Sequence, residues 1–347
     1  MSILRKITSS SMFPPLLVLA LILLFNVIIQ PAFLSIEVRD GVLRGGLINI
    51  LNRSVPVMLL SIGMTLVIAT GGVDLSVGSV LAISSAVAIS LIRGNDTLPA
   101  SETAMVLGLV VILTMVVGII CGLWNGVLVA KIGMPPVVAT LIFMVAGRGL
   151  TQNITRERNL TTGHMPFSEI ANGFTLGIPN QIWIALMIFL LFWFFTRKTA
   201  FGLFIESVGA NRSAAKYAGI KSSRILIVIY ALSGLCASIA GILSASNVRV
   251  IEPMNTGRDM ELDAILAVVL GGTNMKGGKF NLGGSCVGAI ILMALTQTMF
   301  FYGVPVEFSL TIKALVIVVI ILIQSPTTKN FITSLFKKAK KQEVSSK

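Results

Sequence analysis

Asp74 is the residue of this chain whose chemistry is most out of keeping with its surroundings. It lies in Thr65–Gly78, TLVIATGGVDLSVG, where one apolar run ends in two glycines and another begins. In lipid, a helix breaks only where protein or water can satisfy the freed backbone groups. A carboxylate at such a break has two uses. As the N-cap of the next helix it accepts backbone N–H bonds. As an intramembrane charge it meets a substrate, an ion, or a gating cation such as Lys276 or Arg53. Other reactive groups are sparse. His164, in a polar loop, is the sole histidine, so histidine-based catalysis or metal binding is not expected and no Ser/His/Asp arrangement is identifiable. Cys121, Cys236 and Cys286 sit in apolar surroundings at unrelated spacings, with neither a zinc pattern nor a disulfide framework. GTNMKGGKF at Gly272–Phe280 has the glycines and lysine of a phosphate loop, but the spacing differs and Phe280 stands where Ser or Thr would reach Mg²⁺. Lys313 is near enough to the end of its apolar run to snorkel to the interface. The chain is therefore not expected to be an enzyme, and a carboxylate proton relay has little to build on.

The elements that must hold these residues are hydrophobic. Of 347 residues, 55% are apolar and 12% charged, with a mean hydropathy of +0.92, the profile of a polytopic membrane protein. The net charge of +13 does not indicate nucleic acid, because the basic residues lie between apolar runs, where Lys and Arg set membrane orientation. Arg5 and Lys6 precede the first apolar stretch, but no small-residue cleavage site follows, so this span is expected to stay uncleaved. Apolar runs fall near 13–32, 48–69, 76–92, 104–130, 135–150, 181–196, 225–246, 261–272, 283–302 and 309–325. They predict an all-α bundle of about ten transmembrane spans. Residues 1–12 form a cytoplasmic N-terminus, 13–325 the transmembrane domain and 326–347 a basic cytoplasmic tail. With both ends in the cytoplasm, nearly all the excess positive charge falls on that side.

Two further patterns bear on architecture. LGGTNMKGG at Leu270–Gly278 aligns without gaps on TGGVDLSVG at Thr70–Gly78, matching Gly71 with Gly271, Gly72 with Gly272 and Asp74 with Asn274. Such internal repeats are common in transporters, and these two would share one membrane orientation. The loops also differ in character. Residues 151–180 are polar and fall outside, where they could dock a soluble partner. Residues 197–224 mix basic side chains with Phe201, Leu203, Phe204, Ile205, Val208 and Tyr217. Too charged to span, this segment needs a protein partner or the anionic inner leaflet to cover its apolar side.

TGGVDLSVGS, preceded by IGMTLVIA, resembles the signature of the sugar permeases of bacterial ABC importers, the family of the ribose, xylose, arabinose and galactofuranose transporters. VATLIFMVAGRGL at Val138–Leu150 and ELDAILAVVLGGTNMKGG at Glu261–Gly278 extend the likeness over nearly the whole chain. ILNRSVP, GLWNGVLVA and TRKTAFGLFIESVGAN resemble the galactofuranose type most. Met275, Lys276 and Lys279 depart from the Ser and Arg frequent in the family's second glycine segment, so the substrate is not narrowed beyond a pentose or hexose.

The resemblance implies a type II-like importer permease in the bacterial inner membrane. It would have a second permease chain, identical or paralogous, an ATP-binding subunit, and a periplasmic or lipid-anchored sugar-binding protein. This chain would bind no cofactor, since ATP and Mg²⁺ belong to the partner subunit. ESVGANRSAAKYAGI then corresponds to the coupling loop, with Glu206, Gly209, Asn211, Ala214, Ala215 and Gly219 against the ATP-binding subunit. Sugar hydroxyls need scattered hydrogen-bonding side chains, and Asn49, Asn52, Trp124, Asn125, Gln152 and Gln297 are the expected pathway residues. Gly71, Gly72, Asp74, Gly271 and Gly272 are expected to be structural or gating. The competing class is a stand-alone secondary transporter or facilitator, which would require ion-coupling groups in the spans or a continuous pore.

Overall fold

The computed structural model describes residues 12–29, 31–39, 41–93, 100–305, 308 and 311–318. The N-terminal segment up to residue 11 and the tail 326–347 lie outside the described residues, as does part of the span expected at 309–325. Helices dominate: α1 (Phe13–Ile29), α2 (Gly46–Ala69), α3 (Val77–Ile92), α4 (Ala100–Val127), α5 (Pro136–Thr155) and α6 (Met165–Asn172). They are followed by α7 (Asn180–Lys198), α8 (Ala200–Ala210), α9 (Arg212–Tyr217), α10 (Ser222–Val248), α11 (Met260–Leu270) and α12 (Leu282–Phe301). Short antiparallel ribbons tie the loops, pairing Glu37–Arg39 with Val42–Arg44, Leu160–Thr161 with Val250–Ile251, and Phe174–Thr175 with Ile178–Pro179.

Every apolar window from 13–32 to 283–302 coincides with one of these helices. Among the described residues six helices can cross a bilayer by length and composition: α2, α4 with its π-helical extension Leu128–Ile132, α5, α7, α10 and α12. α1, α3 and α11 have only 17, 16 and 11 residues. At 1.5 Å per residue, α11 is about 16 Å long, roughly half the hydrocarbon core. Helix length thus establishes fewer crossings than the sequence windows suggested, because irregular backbone adjoins the short helices.

The core is built on α10 and α2. α10 packs against α2, α3 and α4, and α2 also packs against α11 and α12. From Leu59 onward α2 is buried on all sides, as expected of a helix surrounded by others. Its hydroxyls are satisfied locally: Ser61 Oγ donates to the Met58 carbonyl at 2.8 Å and Thr65 Oγ1 to the Ser61 carbonyl at 2.6 Å. α4 meets α10 through Gly118, Gly122 and Gly126, one small residue per turn. A Cβ at Gly122 would enter the Tyr230 carbonyl, and one at Gly126 would lie 2.9 Å from Ile227 Cα. Small residues at this spacing let two backbones touch, the usual way membrane helices gain packing contact.

The loop 151–180 is more ordered than its polarity suggests. His164 is 3% exposed and its Nδ1 accepts from the Phe167 amide at 3.1 Å, capping α6. Ser246 at the end of α10 holds α6, donating to the Phe167 carbonyl at 2.5 Å and accepting from the Ala171 amide at 3.0 Å. The lone histidine is thus a buried helix cap. Arg156, Glu157, Arg158 and Asn159 remain exposed at the loop's tip.

Candidate functional site

An open cavity of about 510 Å³ lies where α2 begins and α12 ends. Asn49 and Asn52 of α2 and Gln297 of α12 line it with Arg44, beside the rings of Phe33 and Phe301. Those two rings pack edge to face with centroids 5.7 Å apart. The start of α2 explains the polarity. Arg53 Nε donates to Asn49 Oδ1 at 3.1 Å, holding that amide in place. Pro56 lies inside the helix and has no N–H, so the carbonyl of Asn52 loses its i+4 donor. Asn52 Oδ1 is also buried without a hydrogen-bond partner. Asn52 thus carries an unpaired side-chain acceptor beside the cavity, while the amides of Asn49 and Gln297 both donate and accept. Amides and aromatic walls together suit an uncharged solute with many hydroxyls.

The other expected pathway residues lie elsewhere. Asn125 is fully buried and donates Nδ2 to Ser76 Oγ at 2.8 Å, joining α4 to the start of α3. Its neighbour Trp124 is 60% exposed on the opposite side of α4. Gln152 Nε2 reaches Met254 Sδ at 3.5 Å.

Asp74 lies at a junction of helices. The carboxylate is 2% exposed; Oδ1 accepts from the Ser76 amide at 3.0 Å and Ser76 Oγ at 2.6 Å, and Oδ2 accepts from Ser233 Oγ of α10 at 2.9 Å. Thr140 Oγ1 of α5 accepts from the Leu75 amide at 3.1 Å, adding a further helix. This bears on the first expected use, the cap, and moves it by position. The residue at the N-cap position of α3 is Ser76, and Asp74 bonds the Ser76 amide one step earlier, in a turn of its own. Among the described residues, neither Lys276 nor Arg53 pairs with Asp74.

The glycine repeat is present in the structure with a shift. α2 ends with Gly71 at φ +77°, the Gly71 amide donating to the Ile68 carbonyl and the Gly72 amide to that of Val67. α11 ends in the same way with Gly272 at φ +82°, its amide donating to Val269 and that of Thr273 to Val268. Both are Schellman terminators, which require a left-handed residue. Gly71 therefore corresponds to Gly272, one residue away from the gapless alignment with Gly271. The turn that follows keeps the original register: Asn274 Oδ1 accepts from the Lys276 amide at 2.9 Å, as Asp74 Oδ1 does from Ser76.

The segment expected to couple divides into two kinds of residue. Ile205 and Val208 are buried against the chain itself, as is Ala215. Gly209 faces inward too, for a Cβ there would enter the Ala69 carbonyl and lie 2.6 Å from the Gly278 amide nitrogen. Asn211 caps α9, its Oδ1 accepting from the amides of Ser213 and Ala214 at 3.0 and 2.9 Å. Glu206 is half-buried, whereas Ala214 and Gly219 are exposed. Leu203 at 64% and Tyr217 at 93% exposure are the most open bulky side chains of this segment, with Phe204 less so.

Two charged clusters were not anticipated. Arg148, hidden in the window VATLIFMVAGRGL, donates to the Thr256 and Gly257 carbonyls at 2.7 and 2.8 Å and lies 3.7 Å from Glu261 Oε2. Lys313 does not snorkel; its Nζ donates to both oxygens of Asp263 at 2.6 and 2.8 Å. A charged residue inside an apolar window was the available signal in both cases, because such residues face protein rather than lipid.

Comparison with known proteins agrees with a bundle of this kind. The family model for the permease component of branched-chain amino acid transport systems matches residues 46–321, and the chain belongs to that family. It is a transport permease embedded in a membrane, and not an enzyme. It is 45% identical over 312 residues to the galactofuranose transporter permease YtfT of Escherichia coli K12, covering 90% of this chain and 89% of the relative. The fructose import permease FruF of Bifidobacterium longum is 38% identical over 340 residues, covering 96% and 93%. The ribose import permease RbsC of Escherichia coli K12 is 35% identical over 314 residues, covering 88% and 92%. No solved structure gives a significant match.

Proposed function

We propose that this chain is the permease subunit of an ATP-driven importer of a monosaccharide, a pentose or hexose of the galactofuranose kind. The names of its relatives support the sugar, with YtfT at 45% identity. The observation that carries the reading is the convergence of Asn49, Asn52 and Gln297 on one cavity beside aromatic rings. In this reading the sugar passes through that cavity, its hydroxyls meeting the amides of Asn49, Asn52 and Gln297. About ten crossings, with both termini in the cytoplasm of an inner membrane, account for the charge distribution. A second permease chain, an ATP-binding subunit and a soluble sugar-binding protein complete the importer. The binding protein docks near Arg156–Asn159, and the ATP-binding subunit meets Leu203 and Tyr217. ATP and Mg²⁺ act in the partner subunit.

Two measurements test this. Asn52→Leu and Gln297→Leu each remove a hydrogen bond worth ~0.5–1.5 kcal/mol, so each is expected to raise the apparent KM for uptake roughly two- to tenfold with little change in maximal rate. Trp124→Leu, outside the cavity, is expected to leave KM unchanged. An unaltered KM in both cavity variants removes the cavity from the pathway. For topology, reporters fused at Ser213 and Ser346 should read cytoplasm, and those at Asn159 and Asn255 the outside; reversal of either pair rejects the ten-crossing arrangement.

A further inference from the structure

A second cavity, of about 500 Å³, opens where the coupling segment meets α10. Arg212, Lys216, Lys221 and Arg224 line it, together with Ser222 and Ser223, and no carboxylate does. Among the described residues none of the four cations forms an ion pair, and all four are exposed. The N-terminus of α10, a helix of 27 residues, adds its own positive potential to the cavity.

The same face of α10 continues into apolar ground. Arg224, Val228, Leu232 and Leu235 follow one another at intervals of four, four and three residues, the spacing of a single helix face. Val228, Leu232 and Leu235 form one wall of a separate cleft of about 280 Å³, closed on its other side by Phe195 of α7 and Phe201 of α8. From Arg224 to Leu235 the helix rises about 16 Å, of which the apolar wall from Val228 to Leu235 takes about 10 Å. Half of a ~30 Å hydrocarbon core is about 15 Å, so the far end of the cleft, at Leu235, lies about one leaflet's depth below the cations.

We propose that these two clefts form one site for an anionic glycerophospholipid, with the phosphate among Arg212, Lys216, Lys221 and Arg224 and an acyl chain along Val228, Leu232 and Leu235. The site rests on α10 crossing the membrane and not on the identity of the sugar. A free phosphate would fill only the basic cavity. An acidic protein surface would also use only that cavity and leave the apolar cleft to bulk lipid. A zwitterionic lipid would leave four cations uncompensated. Only an anionic lipid uses both clefts, and it would brace α8 and α9 against α10.

The test uses the full-length chain purified in mild detergent, with lipid binding read by native mass spectrometry. Phosphatidylglycerol is expected to bind at least tenfold more tightly than phosphatidylcholine. The double variant Lys221→Gln with Arg224→Gln should weaken it roughly tenfold or more. Leu232→Trp fills the cleft without altering charge and should weaken phosphatidylglycerol binding while leaving that of inorganic phosphate unchanged. Lys216→Gln serves as a milder charge variant if the double variant is not monodisperse, with a weaker loss in the same direction. Equal binding of the two lipids, or phosphatidylglycerol binding that survives both the charge variants and Leu232→Trp, overturns the proposal. So does displacement of the lipid by inorganic phosphate at comparable concentration. Loss of the ATP-binding subunit in co-purification, with phosphatidylglycerol binding intact, shows a protein docking surface instead.

Discussion

Alanine at position 74 is expected to abolish uptake and to destabilise the chain by about 3–5 kcal/mol, since each buried polar group left unsatisfied costs ~1–3 kcal/mol. The carboxylate receives the Ser76 amide, the Ser76 hydroxyl and the Ser233 hydroxyl, and Ser76 in turn holds Asn125. Removing Asp74 therefore loosens the start of α3 from α4 and α10 together. Asparagine should behave differently. Its carbonyl oxygen takes over the bonds from Ser76, and its amide can donate to Ser233 Oγ once that hydroxyl rotates toward its own preceding turn. Serine, one atom too short to reach both partners, should fail nearly as badly as alanine. The measurements are uptake per membrane-inserted protein and thermal unfolding in detergent. Asparagine failing as completely as alanine would show that the negative charge itself is used.

The second large effect is at Gly209. Placing even an alanine there drives its Cβ into the carbonyl of Ala69, the last residue of α2, which accepts the Gly278 amide at 2.8 Å. Gly209→Ala is expected to destabilise the isolated permease by ~1–3 kcal/mol, as overpacking does, and to displace α8. A bulky substitution here reports on the chain's own packing before it reports on any partner. Tyr217→Ala is the contrasting case. With 93% of the residue exposed, it should leave thermal stability within ~0.5 kcal/mol while lowering sugar-stimulated ATP hydrolysis in the assembled importer. Unchanged stability in Gly209→Ala would show that α8 moves aside freely. Unchanged coupling in Tyr217→Ala would remove that ring from the contact.

The helices were legible because apolar runs in lipid have few alternatives to helix, and the windows coincide with helices from α1 to α12. Which side of a helix a residue faces was not legible. Trp124 and Asn125 are neighbours in sequence, yet one is 60% exposed and the other fully buried. Only the position of α10 against the glycines of α4 decides between them. Asn49, Asn52 and Gln297 could be picked out by type, but their meeting depends on α2 and α12 packing over about 245 residues of separation. Gly209 was read from its place in a motif, whereas its need for glycine comes from a carbonyl on α2. The repeat shows the same limit at finer scale. Glycines align by identity at 71 and 271, while the left-handed conformation falls on 71 and 272.

The shortness of α11 bears on how the chain is assembled during synthesis. Eleven residues cannot partition into a bilayer as an independent span of ~20 residues. The segment before them cannot enter lipid with its carbonyls unpaired. Arg148, which donates to the carbonyls of Thr256 and Gly257, is translated more than a hundred residues earlier. The receptor for this segment is therefore already in the membrane when the segment emerges from the ribosome. Biogenesis of the carboxy-terminal half accordingly depends on α5 having been inserted first and in the right orientation.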